Sequence, residues 1–310
     1  MLQLRSRLAA PAIFLVALLC TATAFAQSVF AQPVDAPPTQ VLILVGPSTH
    51  PPGTHEVAAG GRLVAHCLSH ATNVPKIHAE VITEWPTDRT RLQKIATVVF
   101  TGDRFPPEEM ADRDRIMADL ATMMDHGCGL VCFHYATGLG ASHVKPDGDH
   151  PLLRWMGGYF ATRCAHHQSI AKIFNAATIE PTKSDHPVLR GWKPFTVRDE
   201  PYISNYFGPN GLAPNVTALA TAQLPPESPK SEIVAWAVSR ADGGRGAGIV
   251  MPHFYKNWQV TDLRMLIMNA IVWSAKLDVP PSGVQTPEPN LAQFEPAATE
   301  PPPPAPKAKK

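Results

Sequence analysis

The 310-residue chain has little charge, few cysteines and a single long apolar run. Each shortage excludes something. Charged residues are 17% of the sequence and sum to +1, and neither a basic stripe nor a basic-aromatic pattern appears, so nucleic acid is not an expected partner. The apolar run, 8–19, is short for crossing a bilayer. The sequence contains no Gly-x-Ser-x-Gly, which removes the serine elbow of α/β-hydrolases. Gly243, Gly244, Gly246 and Gly248 precede a predicted strand, with no Lys-Ser or Lys-Thr after them, so they read as a hairpin turn and not as a phosphate loop. No internal repeat is present.

The apolar run follows Arg5 and Arg7 and leads to Ala24, Phe25 and Ala26, the order of a secretory signal peptide over 1–26 cut after Ala26. The expectation is an exported protein, periplasmic or secreted, with no membrane span after processing. Cys20 follows Ala17, Leu18 and Leu19, which lack the small residues that precede a lipidated cysteine. Removing Arg5 and Arg7 leaves a formal charge of about −1. Four cysteines survive, Cys67, Cys128, Cys132 and Cys164, in a domain large enough to fold without staples. A linker over 27–39 leads to one domain over 40–279. The remainder, 280–310, is rich in Pro, Glu and Ala and is expected to be a disordered tail. Nothing in the sequence sets an oligomeric state.

Within the domain, 41–45 is continuously apolar and β-branched, ends at Gly46 and Pro47, and precedes a helical pattern through Leu63, Val64, Cys67 and Leu68. The alternation continues with a strand at 77–83, a helix at 88–95, a strand at 97–101, a helix at 107–124 and a strand at 130–135. This predicts an α/β protein with a doubly wound, mostly parallel sheet. The stretch 141–217 reads as insertions and short strands over one end of the sheet. Strands at 232–239 and 247–253 flank a hairpin turn, and 261–276 closes as a helix with Thr261 as its cap.

Ligands of such sheets bind beyond the carboxyl ends of the strands. His50, His55 and Glu56 follow the first predicted strand, Asp103 the third, His134 the fourth and His253 the last. Four connections distant in sequence thus deliver imidazole and carboxylate to one edge, groups suited to proton transfer or metal ligation. His66 and His70, four apart on a helix, have no evident third ligand and read as an ordinary helix face. Cys132 lies within an apolar strand, poorly placed for a thiolate.

Several blocks resemble one family. GLVCFHYA (129–136), HPLLRWMGGYF (150–160) with His166, DHPVLRGWKPFTVRDEPY (185–202), the Trp-containing strand and glycine turn over 234–248 with His253, and the helix ending Ile271, Val272, Trp273 are similar, in order, to ThuA-like (trehalose utilisation) domains. The resemblance implies a class I glutamine amidotransferase-like, flavodoxin-like fold without the amidotransferase cysteine, and a role in sugar utilisation. It carries functional positions onto His55, His134, Glu200, Tyr202 and His253. Pro252 and Cys132 depart from the family pattern, where glycine is usual.

The enzyme reading has His134, Glu200 and His253 as acid/base catalysts on a sugar or keto-sugar, as an isomerase, lyase or hydrolase. His55, Tyr202, His50, Asp103 and His166 then contact the ligand. A divalent metal, zinc or manganese, is a candidate cofactor, held by His55, His134, Glu200 and His253. The competing reading is a non-catalytic carbohydrate-binding or assembly module with stacking faces from Trp155, Tyr159, Trp192, Tyr202, Tyr206 and Trp258.

Overall fold

The structure, a computed structural model, describes residues 37–295. The signal peptide expected over 1–26, most of the expected linker and the end of the expected tail lie outside the described residues.

The chain runs β1 (Thr39–Val45), α1 (Val57–Ser69), β2 (Ile77–Ile82), α2 (Arg89–Leu92), β3 (Ile95–Thr101), α3 (Pro106–Glu109), α4 (Arg113–Asp125) and β4 (Gly129–Phe133). It continues with β5 (Gly138–Gly140), α5 (Pro151–Met156), β6 (Phe160–Thr162), β7 (Phe174–Pro181), β8 (Phe195–Asp199), β9 (Val216–Leu224), β10 (Lys230–Ser239), β11 (Arg245–Ile249) and α6 (Thr261–Ser274). Nine strands form one sheet in the order β2-β1-β3-β4-β11-β10-β9-β7-β8. From β2 to β11 every pairing is parallel, and the order matches the flavodoxin-like winding. From β11 to β8 every pairing is antiparallel.

The α/β class therefore holds, but the sheet is mixed where a mostly parallel one is expected. The difference arises in 141–217. That stretch supplies β7 and β8, which add to the sheet through β9 instead of only covering one end. Polar residues alternate with apolar ones along β8, and this half-buried pattern suits an antiparallel edge. The central parallel strands are apolar on both faces because helices cover both.

Close approach of helix to sheet depends on small residues. A Cβ on Gly61 of α1 would lie 2.7 Å from Val45 Cγ2, and one on Gly129 would lie 2.3 Å from the Ser274 carbonyl of α6. A buried pair, Thr97 Oγ1 and Ser274 Oγ at 2.8 Å, ties α6 to β3.

Local expectations shift at boundaries. The predicted 88–95 helix is the single turn α2, and the 107–124 helix divides into α3 and α4. β4 stops at Phe133, so His134 and Tyr135 lie in a 3-10 turn instead of a strand. Thr261 does not cap α6; Val260 occupies that position without a side-chain cap. The four described cysteines are all free.

The domain also extends beyond 279. Residues 280–295, expected as the start of a tail, pack against the body, where Val284, Leu291 and Phe294 are buried. Val284 N–H donates to Asn269 Oδ1 (2.8 Å), and Tyr255 OH donates to the Leu291 carbonyl (3.0 Å). Apolar composition alone understates such a strap, because a few side chains worth about 1.5–3 kcal/mol each suffice to hold it. Among the described residues, no helix is long and apolar enough to cross a membrane.

Candidate metal centre

The carboxyl ends of the parallel strands carry the site. His55 lies just before α1, His134 just after β4, and His253 in the segment following β11. Three ring nitrogens converge. His134 Nε2 is 2.7 Å from His55 Nε2 and 3.0 Å from His253 Nδ1, and His55 Nε2 is 3.0 Å from His253 Nδ1. Glu200, in the loop after β8, places Oε2 3.1 Å from His253 Nδ1 and 3.9 Å from His134 Nε2. The four ligand atoms all lie within 4.8 Å of one another.

Outer partners decide the tautomers. His55 Nδ1 faces Asp103 Oδ1 at 2.7 Å, and His134 Nδ1 faces the Val250 carbonyl at 3.2 Å. Both acceptors take the ring N–H at Nδ1, which leaves each Nε2 with a lone pair. Two lone pairs at 2.7 Å repel unless a cation is shared between them. A carboxylate or carbonyl behind an inward-facing imidazole is the usual support of a metal ligand. Three imidazoles with a carboxylate beside them suit zinc best among common divalent ions.

Burial, reinforced by the neighbouring His55 and His253, holds the His134 pKa well below the ordinary imidazole value. Burial likewise lowers His55 against the opposing pull of Asp103. Both rings are therefore neutral, the form that ligates. Burial alone would raise the Asp103 carboxyl, yet hydrogen bonds from His55 and Thr49 N–H, with His50 beside it, hold it well below the carboxylate range. His50 stacks on His55 with centroids 3.5 Å apart and also bonds Asp103 through Nδ1 (2.9 Å). Its side chain is 30% exposed, so it bridges the cluster and solvent.

His134 has φ of +48°. A non-glycine residue in this left-handed region carries strain that the surroundings must hold. Thr137 Oγ1 helps by donating to the His134 carbonyl at 2.6 Å. The sharp turn brings the ring back into the cluster at the strand end. The strand itself holds Cys132, fully buried and with its thiol pKa pushed up by burial, so it offers no amidotransferase nucleophile.

Tyr202 stacks on His134 at 4.7 Å between centroids and places its hydroxyl 3.2 Å from His134 Nε2. Burial first, then nearby Glu200, raises its pKa well above that of an ordinary phenol, so it stays protonated. Of the expected ligand contacts, the structure therefore brings His50, His55, Asp103 and Tyr202 to the centre. His166 is held apart, with Nε2 2.8 Å from Tyr159 OH and its ring against Tyr206. Tyr159 donates in turn to the Gly148 carbonyl at 2.9 Å, a network that anchors the 147–149 turn.

Sequence reasoning missed Tyr135. It follows the strained His134, is half-buried, and presents its ring to His50, His55 and Tyr202 at 5.8–6.0 Å. The strand pattern ran through it and hid the turn. Of the aromatics expected as stacking faces, Trp155, Tyr159, Trp192, Tyr206 and Trp258 pack in the core and Tyr202 lies at the centre itself, none more than 9% exposed. His66 and His70 stack on each other on the outer face of α1, with no third ligand among the described residues.

A comparison with curated proteins gives no match. Among solved structures, a putative ThuA-like protein from Bacteroides uniformis overlays with a TM-score of 0.55 at 15% identity, covering 79% of this chain and 94% of that one. This likeness shows a shared fold. The carbohydrate deacetylase Agd3 gives 0.45 at 12% identity, over 77% of this chain and 32% of that one. A glutamine amidotransferase from Thermotoga maritima gives 0.40 at 11% identity, over 78% of this chain and 97% of that one. The family profile described as "Trehalose utilisation" matches residues 42–274, and the chain belongs to this ThuA family.

Proposed function

We propose that this protein is an exported enzyme that performs metal-assisted acid/base chemistry on a sugar or keto-sugar. The observation that carries the reading is the 2.7 Å approach of two imidazole lone pairs, fixed from behind by Asp103 and the Val250 carbonyl. Such an arrangement is costly unless a cation occupies it. His55, His134 and His253 would hold a zinc or manganese ion, which polarises a carbonyl or hydroxyl oxygen of the sugar when bound.

The chain's own groups supply the rest. Glu200 sits beside the imidazoles with 16% of its side chain exposed, a carboxylate suited to taking a proton next to a sugar carbonyl. Tyr202, kept protonated, donates a hydrogen bond from within the site. Tyr135 offers a partly exposed ring at the same place, where the face of a sugar can lie. His134 would serve as a ligand and the general-base role falls to Glu200, because the one free nitrogen of the His134 ring points into the cluster, where the ion would take up its lone pair, whereas the Glu200 carboxylate lies beside it. Sugar specificity is supported by family membership. Export is supported by the leader pattern of Arg5, Arg7 and the Ala24–Ala26 triplet. The binding-module reading loses support because all of its aromatic faces except Tyr202 are packed in the core away from the cluster.

The test is proton NMR in heavy water of the mature protein with disaccharides and their 3-keto forms, with and without zinc or manganese. New resonances or site-specific deuterium uptake, lost in Glu200→Gln, are expected. Ligand line-broadening without exchange or product would return the binding module to favour, and a silent panel would remove sugars as the ligand class.

A further inference from the structure

In the sheet order β8 is separated from β11 by β10, β9 and β7. Glu200 follows β8 and His253 follows β11, yet their side chains meet at 3.1 Å. No strand pairing brings the two segments together. What joins them is Asp199, the last residue of β8, which is 0% exposed. Its Oδ1 accepts the backbone N–H of Glu200 at 2.6 Å and that of His253 at 2.8 Å. Its Oδ2 accepts Asn257 Nδ2 at 2.7 Å, and the same amide donates to the Arg198 carbonyl at 2.8 Å.

One buried carboxylate thus binds the backbones of two site residues that are far apart in sequence. Neighbouring contacts run between the same two segments: the Arg198 guanidinium lies 4.4 Å from the Phe254 ring centroid. An ionised carboxylate buried in the core carries a desolvation cost of several kcal/mol, and apolar closure of a sheet edge would avoid it. Burial pushes the Asp199 carboxyl upward, and the three N–H donors oppose this.

We propose that Asp199, braced by Asn257, is a positioning residue that sets His253 in register with the ligands His55 and His134, and Glu200 beside them as the base, and so completes the site across the two halves of the sheet. The role rests on the metal reading above. Asp199 touches no ligand atom itself; it acts through the backbones of His253 and Glu200.

The experiment uses the full mature chain, with zinc affinity measured by chelator competition and cobalt(II) absorption as a report on the ligand set. Asp199→Asn, Asn257→Ala, His253→Ala and the Asp199→Asn/His253→Ala double variant are compared, each with its thermal midpoint in the metal-free form. Asp199→Asn puts an amide NH2 where Oδ2 now accepts Asn257 Nδ2, so either that brace or the pair of backbone bonds at Oδ1 is lost. It is expected to weaken zinc about 10–100-fold, the range for a residue behind a ligand, and to alter the cobalt spectrum while leaving the metal-free midpoint within a few degrees. In the His253→Ala background the same change is expected to cost little more, because the two act through one position. Wild-type spectrum and affinity in Asp199→Asn, or a full further loss in the double variant, overturns the assignment. Should Asp199→Asn fail to fold, Asn257→Ala decides in its place: a smaller loss of affinity with an altered spectrum supports the role, and unchanged binding refutes it. A wild-type protein that binds neither ion overturns the metal reading itself, an outcome distinct from a wild type that binds and variants that bind equally well.

Discussion

The two halves of the sheet contribute to the site by different rules. In the parallel half, each functional side chain stands where a strand ends, and His55, Asp103, His134 and His253 follow β1, β3, β4 and β11 in turn. In the antiparallel half, strand ends point both ways, so no such rule applies, and Glu200 and Tyr202 arrive on one loop after an edge strand. The parallel half provides the nitrogen cage, while the antiparallel half provides the carboxylate and phenol that complete it. A doubly wound sheet by itself makes a ligand-binding edge; the added strands turn that edge into a site with an acid/base group.

The division is most exposed to substitution at its centre. His134→Ala removes the ring that touches every other member of the cluster, and zinc affinity is expected to fall by more than about 100-fold, exceeding what loss of a supporting residue costs; chelator competition measures it. Glu200→Gln tests the other half. Turnover should fall about 10²–10⁴-fold, the usual worth of an acid/base group, while zinc affinity stays within a few-fold of wild type. If Glu200→Gln releases the ion as His134→Ala does, the carboxylate is a ligand and the two halves do not divide the work.

Asp103→Ala asks whether the parallel half needs its outer support. It should lower zinc affinity about 10–100-fold by freeing the His55 tautomer, with titration calorimetry as the measure. Ending the chain after Val279 removes the strap that packs on Tyr255 and α1. A loss of about 2 kcal/mol would lower the thermal midpoint by roughly 4–8 °C, and differential scanning calorimetry reads this directly.

The smallest expected effect sharpens the comparison through pH. Burial, with Arg245 nearby, lowers the His186 pKa to about 4. Its Nδ1 accepts Val188 N–H at 3.2 Å and its ring packs on Trp273, so the folded form needs the ring neutral. Because the folded value lies below the ordinary 6.5, its contribution is complete above about pH 6.5 and is lost as pH falls towards 4. Urea midpoints at pH 7.5, 5.5 and 4.5 should decline more steeply for wild type than for His186→Gln. Equal slopes would detach this residue from acid sensitivity.

Much of the parallel half is legible in the sequence. The apolar run 41–45 and the strand at 97–101 lie within β1 and β3 because strands buried on both faces need continuous apolar sequence. His55 and Asp103, which follow β1 and β3, are then placed by the strand-end rule. Glu200 and Tyr202 emerge only from the Asp-Glu-x-Tyr block of the family resemblance, since no periodicity marks the loop that carries them. His166 goes with the HPLLRWMGGYF block of the same resemblance, yet it lies in a tyrosine network away from the cluster. Order along the chain does not encode distance in space. Tyr135 was hidden for a local reason: an apolar strand pattern passes through it, and only the positive φ of His134 reveals the turn.

Sequence by itself determined the α/β class, the alternating elements of the parallel half and the residue types at the strand ends, because each follows from hydrophobic periodicity or composition over a short window. Only the tertiary structure decided that the sheet is mixed, that 280–295 is a strap and that Asp199 joins β8 to the segment after β11. It also decided that two imidazole lone pairs face each other at 2.7 Å. These depend on pairings between residues tens to hundreds of positions apart, whose burial and hydrogen-bond partners exist only once the chain has closed on itself.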